Sequence, residues 1–251
     1  FFASLRLEDY ATRAVRPHER TLAGPKADRL RMMRATRANL SPIFLLYEDR
    51  EQALAGIPYQ RTLTYLANEI RLEPIQPGKG IPFSMVTALG PTEDFDLTGL
   101  DGKPIPTLQP GQIVLNQWAA NDLNAGVGDT VQLSYYEPET VDGDEVERTV
   151  ALELVAIAGL TAPKEPYRKI RGEVVPAVFD QEPTVANDPW LTPEVPGVTD
   201  AASIDSWNLP FQTDVRPVDD DYWQNYRTTP KAFVSMEDGV RLWNSRFGTY
   251  T

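Results

Sequence analysis

The most constraining stretch of this chain is Gly111–Tyr136, GQIVLNQWAANDLNAGVGDTVQLSYY. Gln112–Leu115 is a short apolar run of strand type, and Asn116 is placed to cap a helix. Trp118, Ala119, Asp122 and Leu123 then fall at helical spacing over about two turns. Gly126-Val127-Gly128-Asp129 breaks that helix, because glycine enters left-handed backbone without a Cβ penalty. Thr130–Tyr136 alternates, with Val131, Leu133 and Tyr135 on one face and Thr130, Gln132 and Ser134 on the other. Strand, short helix, Gly-Asp turn and strand make a compact unit with no obvious reactive group. That pattern points to binding or mechanics rather than catalysis.

The flanks extend the same logic. Arg148–Ala158 reads as the antiparallel partner of Thr130–Tyr136, joined to it by an acidic loop that turns at Asp142-Gly143. Upstream, Tyr65–Leu72 and Ile81–Leu89 are strand candidates around the Pro/Gly turn at 76–80. Residues 90–111 form a Pro/Gly/Asp loop. Downstream, Lys231–Ser235 is a strand and Met236–Ser245 a helix that turns Val240 and Trp243 to the core. Ala162–Pro230 is rich in prolines and acids and reads as the least regular region, an ordered loop wrapped on the core by Trp190, Trp207 and Phe211. The fold class expected is α+β, with mixed or antiparallel sheets and short helices at Ala27–Ala38, Trp118–Asn124 and Met236–Ser245. Trp118, Leu123, Val131, Leu133, Phe233, Val234 and Trp243 are expected to share one core.

Several runs carry a resemblance. IVLNQWAANDLNAGVGDTVQLSYY, together with IPFSMVTAL (Ile81–Leu89), LTPEVPGVTDAASIDSWNLPF (Leu191–Phe211), DDDYWQNYRTTPKAFVS (Asp219–Ser235) and DGVRLWNSRFG (Asp238–Gly248), resembles the extracytoplasmic domain of FtsX/MacB-type ABC-transporter permeases. Residues 163–188 fit it poorly and read as an insertion. The resemblance implies a MacB-like periplasmic domain for residues 62–251, on the extracytoplasmic face of the inner membrane as part of a membrane protein. It also implies coupling to a cytoplasmic ATPase subunit through the parent permease, and contact with a periplasmic partner protein or an exported substrate.

Charge separates the first segment from the rest. Residues 1–61 carry 11 Lys/Arg against 7 Asp/Glu, a net of +4, whereas the whole chain carries −12 and the remainder therefore −16. Such asymmetry marks different origins or partners. The acidic balance argues against nucleic acid as a ligand. The four arginines of ADRLRMMRATRA (Arg29, Arg31, Arg34, Arg37) spread round a helix and read as a solvated surface. No cysteine is present, which excludes disulfides and thiol chemistry. No apolar run reaches the roughly 18 residues of a membrane helix. The chain begins at Phe1 without methionine and stops at Thr251 in what reads as the start of a strand, so it is expected to be a piece of a longer protein.

Residues 1–61 read as strand, loop, helix, strand. LRLEDYATRAVRPHERTLAGPKADRLRMMRATRANLSPIFLLYED resembles part of an uncharacterised bacterial family of the ParB/sulfiredoxin type, whose relatives include a free-serine kinase. Its HERT loop, His18, Glu19, Arg20 and Thr21, has the groups to hold a phosphate. Arg20 can pair phosphate oxygens bidentately, Thr21 can donate a hydrogen bond, and Glu19 can act as base or hold a metal. The same residues equally suit a solvated loop with a cap and a surface ion pair. Asp219, Asp220 and Asp221 beside Glu194, Asp200 and Asp205 suggest calcium, but lack the alternating ligands and Gly of an EF-hand and read better as a solvated acidic face.

Residues 62–251 contain no histidine or cysteine, so no nucleophile–base pair of the usual hydrolytic kind is available there. The expected function is a non-catalytic binding and coupling domain without cofactor or metal. The alternatives are a nucleotide-binding or free-serine-kinase-like protein using the HERT loop, and a chimeric or designed chain without a coherent joint function.

Overall fold

The computed structural model describes residues 61–91, 97–138, 146–170, 173–187, 201–204 and 215–243. All of them lie in 58–251, the larger of the two units into which the chain divides. Eight strands run in chain order: β1 (Thr62–Leu72), β2 (Gly80–Leu89), β3 (Gln112–Asn116), β4 (Thr130–Tyr136), β5 (Glu147–Ala158), β6 (Arg168–Ile170), β7 (Glu173–Val175) and β8 (Ala232–Ser235). Three helices accompany them: α1 (Gln117–Leu123), α2 (Pro217–Tyr226) and α3 (Met236–Trp243). The helix expected at Ala27–Ala38, with the whole N-terminal strand-helix-strand reading, lies outside the described residues.

Six strands close into a barrel in the order β1-β2-β8-β3-β5-β4, while β6 and β7 form a separate antiparallel pair. The structure is therefore mixed α and β, as expected, but its main sheet closes on itself. Closure leaves no edge strand in that sheet. Within the ring, β2 runs parallel to β8 and β3 parallel to β5; the other four neighbours are antiparallel.

This pattern has an internal two-fold. Exchanging β1 with β4, β2 with β5 and β8 with β3 reproduces every pairing and its sense. The helices obey it too, since β3 runs directly into α1 and β8 directly into α3. In each case the last strand residue caps the helix. Asn116 Oδ1 accepts from Ala119 N (2.8 Å), and Ser235 Oγ accepts from Asp238 N (3.1 Å). Each helix start also reaches the chain entering the opposite strand: Asn116 Nδ2 donates to Pro230 O (3.0 Å), and Asp238 Oδ2, in the first turn of α3, accepts from Gly111 N (2.7 Å). The half β3-α1-β4-β5 is continuous, whereas its counterpart is divided between β8-α3 and β1-β2.

The barrel interior is filled from all six strands, including Ile70, Val86, Ile113, Leu115, Val131, Leu133, Leu154 and Val234, with Leu123 and Trp243 entering from the helices. β4 shows the predicted alternation, its three odd-numbered residues buried. β2 is buried on both faces, because its outer side is also covered. Phe83, Met85, Ile204 and Trp223 pack together beneath α2. Phe83 has φ +44°, backbone that a bulky residue rarely adopts. The pairing of β1 with β2 keeps one register across it, yet the inward residues change parity, from Ile81 to Val86 on β2 and from Ala67 to Ile70 on β1.

Several expectations are corrected. Phe233 does not share the barrel core. It points outward and packs with Leu97, Ile105, Leu108, Val114 and Ala186, since neighbours on a strand face opposite ways. Trp118 is half-buried at the margin of the barrel core. On α3 the innermost residues are Gly239 and Trp243, while Val240 is half-buried. Helix α1 ends one turn before the glycines, at Asn124 in left-handed backbone (φ 53°); asparagine tolerates this conformation. Residues 162–230 include α2, which begins on Pro217 at a favoured first-turn position. Within 163–188, a turn at Val185–Asn187 is pinned to the rest. The Asn187 amide pairs both ways with the backbone of Thr161, at 2.8 Å each, and its carbonyl accepts from Thr229 Oγ1 (3.1 Å).

Candidate functional site

The chemically unusual part of the barrel lies where α1, α2 and the chain entering β8 meet. Lys231 follows Pro230 and precedes β8. Its N–H donates to Met85 O and its carbonyl accepts from Asn116 N, both at 2.9 Å, so its backbone is stitched between β2 and β3. Its side chain is forced inward, with the residue only 2% exposed. The ammonium lies 3.4 Å from Pro82 O, 4.9 Å from the Tyr222 ring centroid and 5.3 Å from that of Trp118. No carboxylate among the described residues is within ion-pair distance of it.

The walls of this box are themselves tied down. Trp118 and Tyr222 pack at 4.6 Å between centroids. Tyr222 OH donates to Thr229 O and accepts from Asn116 Nδ2, each at 2.9 Å. Burial pushes its phenol pKa well above the ordinary value. Arg216 clamps the start of α2 to α1, its Nη2 donating to Asp122 Oδ2 (2.7 Å) and to Asp219 Oδ1 (2.6 Å). Its Nε donates to Asp219 Oδ2 (3.0 Å), and its backbone N–H reaches the same oxygen (2.8 Å). These hydrogen bonds, with Asp219 foremost, hold the guanidinium charged more firmly than usual.

Burial is the dominant influence on Lys231 and pulls its pKa down to about 8. The Asp219 and Asp122 carboxylates oppose the fall, and Arg216 adds to it. An amine of that basicity is nucleophilic near neutral pH where a substrate can reach it. Here two aromatic rings and a carbonyl occupy its surroundings, and the geometry makes it an internal anchor. Arg227 is a second buried cation, lowered by burial. Its Nη1 donates to Ala201 O (2.8 Å), and its guanidinium lies over Trp223 at 5.2 Å and Tyr167 at 6.0 Å.

Of the residues singled out from sequence, His18, Glu19, Arg20 and Thr21 lie outside the described residues, as do Glu194, Asp200 and Asp205. Asp219 is not part of a solvated acidic face. It is fully buried, because its carboxylate is bound by Arg216. Asp220 Oδ1 accepts from Ile204 N (3.2 Å), while Asp221 is exposed. No cluster of three metal-ligating side chains occurs among the described residues. Lys231 was not a sequence candidate. The available signal was a lysine directly after proline at the head of an uninterrupted apolar strand, nine residues after Tyr222.

These features define a closed mixed barrel with a cation sealed between aromatic rings. Residues 1–66 match the model of a family described as "Protein of unknown function (DUF1015)"; the match runs into the first five residues of β1. No curated protein matches the chain. The family match corrects the sequence-based resemblances. The N-terminal segment is similar to that family and not to the ParB/sulfiredoxin type, and nothing ties residues 62–251 to an ABC-transporter permease. No helix among the described residues is long and apolar enough to cross a membrane.

Proposed function

We propose that the barrel is a non-catalytic binding and coupling module that works by contact with a protein partner. The observation carrying this reading is the fate of Lys231, a buried ammonium without a carboxylate in ion-pair distance, which is spent on Trp118, Tyr222 and Pro82 O. The buried carboxylates are similarly committed. Asp219 serves Arg216, and Asp238 serves Gly111 N, Ser235 Oγ and Arg241. A closed barrel with capped helices suits transmission of force or position, since no main-sheet edge is free to rearrange. The net charge of −16 over residues 62–251 favours a partner presenting basic side chains.

The chain is incubated with ATP, magnesium and free serine, and phosphate transfer is assayed. No turnover is expected. Transfer that disappears in Glu19→Ala would overturn the reading in favour of a kinase-like enzyme.

A further inference from the structure

The Lys231 box suggests a moving part, beyond the proposal of a binding module. A buried ammonium with no carboxylate partner is costly, and water offers it a better environment. Two rings cover Lys231, Tyr222 from α2 at 4.9 Å and Trp118 from α1 at 5.3 Å. Against α1 and the barrel, α2 is held by the Arg216–Asp122 contact, the Trp118–Tyr222 stack, the Tyr222 hydroxyl pair and the packing of Trp223 on Phe83 and Met85; its other hydrogen bonds go to Tyr167 and to Ala201, Ala202 and Ile204.

We infer that α2 is a proton-linked door whose outward movement hydrates Lys231 and is favoured when the amine is charged. The charged and titratable groups facing the box are Asp122 from α1, and Arg216, Asp219 and Tyr222 from α2 or its cap; β2 contributes only the Pro82 carbonyl. Arg216 and Asp219 travel together as an ion pair, so they contribute no net charge to the movement. Tyr222 enters only in strong alkali, where ionisation of an exposed phenol would favour opening and so reverse the trend. Between neutral pH and about 10 the lysine therefore governs.

The sign follows from linkage. With the door closed the amine has its lowered pKa of about 8, and when hydrated it has its ordinary value of 10.5. Opening takes up a proton between these values and becomes rarer as pH rises through them. From pH 7 to 9.5 the open population is expected to fall by roughly 25-fold.

The test is amide hydrogen exchange on the full chain, corrected for the intrinsic pH dependence of exchange. Protection of Pro217–Thr229 relative to β4 and β5 should rise by more than tenfold from pH 7 to 9.5, and this rise should vanish in Lys231→Met. Asp122→Asn, which frees the α1 side of the clamp, should lower protection of α2 at both pH values while keeping the rise. Equal protection at the two pH values would overturn the inference. So would a rise that persists in Lys231→Met or is lost in Asp122→Asn.

Discussion

Lys231 shows how one side chain can be read from competing magnitudes. Burial costs it charge stability, while two ring faces and one carbonyl return part of that cost. Its folded pKa of about 8 lies below the ordinary 10.5. The unfolded chain thus binds more protons between these values, and stability rises with pH across that window. The gain from pH 7 to 9.5 should be roughly 2 kcal/mol, since each unit of pKa difference is worth about 1.4 kcal/mol. Above about pH 9.5 the raised pKa values of Tyr65, Tyr135, Tyr222 and Tyr226 act oppositely, because the unfolded phenols ionise first. Denaturant unfolding of the native chain should therefore show stability climbing from pH 7 to 9.5, and Lys231→Met should be nearly flat over that range. Asn116 illustrates the opposite bookkeeping, with every polar atom of its side chain used. Asn116→Ala removes the α1 cap and leaves Pro230 O without its side-chain donor. It should lower stability by roughly 2–4 kcal/mol by denaturant titration.

Among the elements, α3 lies tightly against β2. A Cβ built on Gly239 would stand 2.2 Å from the Ala88 Cβ, and neither atom can swing away. In an exposed helix Gly→Ala would stabilise by about 1 kcal/mol. Here overpacking dominates, and Gly239→Ala should destabilise by about 1–3 kcal/mol, read as a fall in thermal midpoint. Local pattern made much of this legible in sequence. The alternation of Val131, Leu133 and Tyr135 marked β4, and Asn116 before Gln117-Trp118 marked α1. Helix α2 was hidden because Asp219-Asp220-Asp221 looks like surface, and no sequence pattern declares that Asp219 turns back onto Arg216. Phe233 was assigned to the wrong core for a related reason. β8 is apolar on both faces, so alternation could not say which side faced the barrel.

For the whole molecule, barrel closure was the feature least visible in the chain. It depends on β8 joining β2 and β3 from far along the sequence, and such long-range pairing leaves no local mark. The two-fold is legible only once the pairings are known, since one half is divided. The candidate site shares this character. Lys231, Trp118, Tyr222 and Pro82 come from four separate stretches, and only the closed barrel brings them together.

Lysine modification tests the sealed character of that centre most directly. The native chain is treated with a limiting amount of a small acylating reagent at pH 8, and acylation at each lysine is followed by mass spectrometry. A free amine with a pKa of about 8 would react well before ordinary lysines, whereas one enclosed by Trp118 and Tyr222 must wait for α2 to open. Lys231 is expected to be acylated much more slowly than the exposed Lys79, Lys103 and Lys164, and to react readily once the chain is unfolded in urea. Acylation of Lys231 ahead of those three in the native chain would contradict the structural role and make it a reactive, accessible amine.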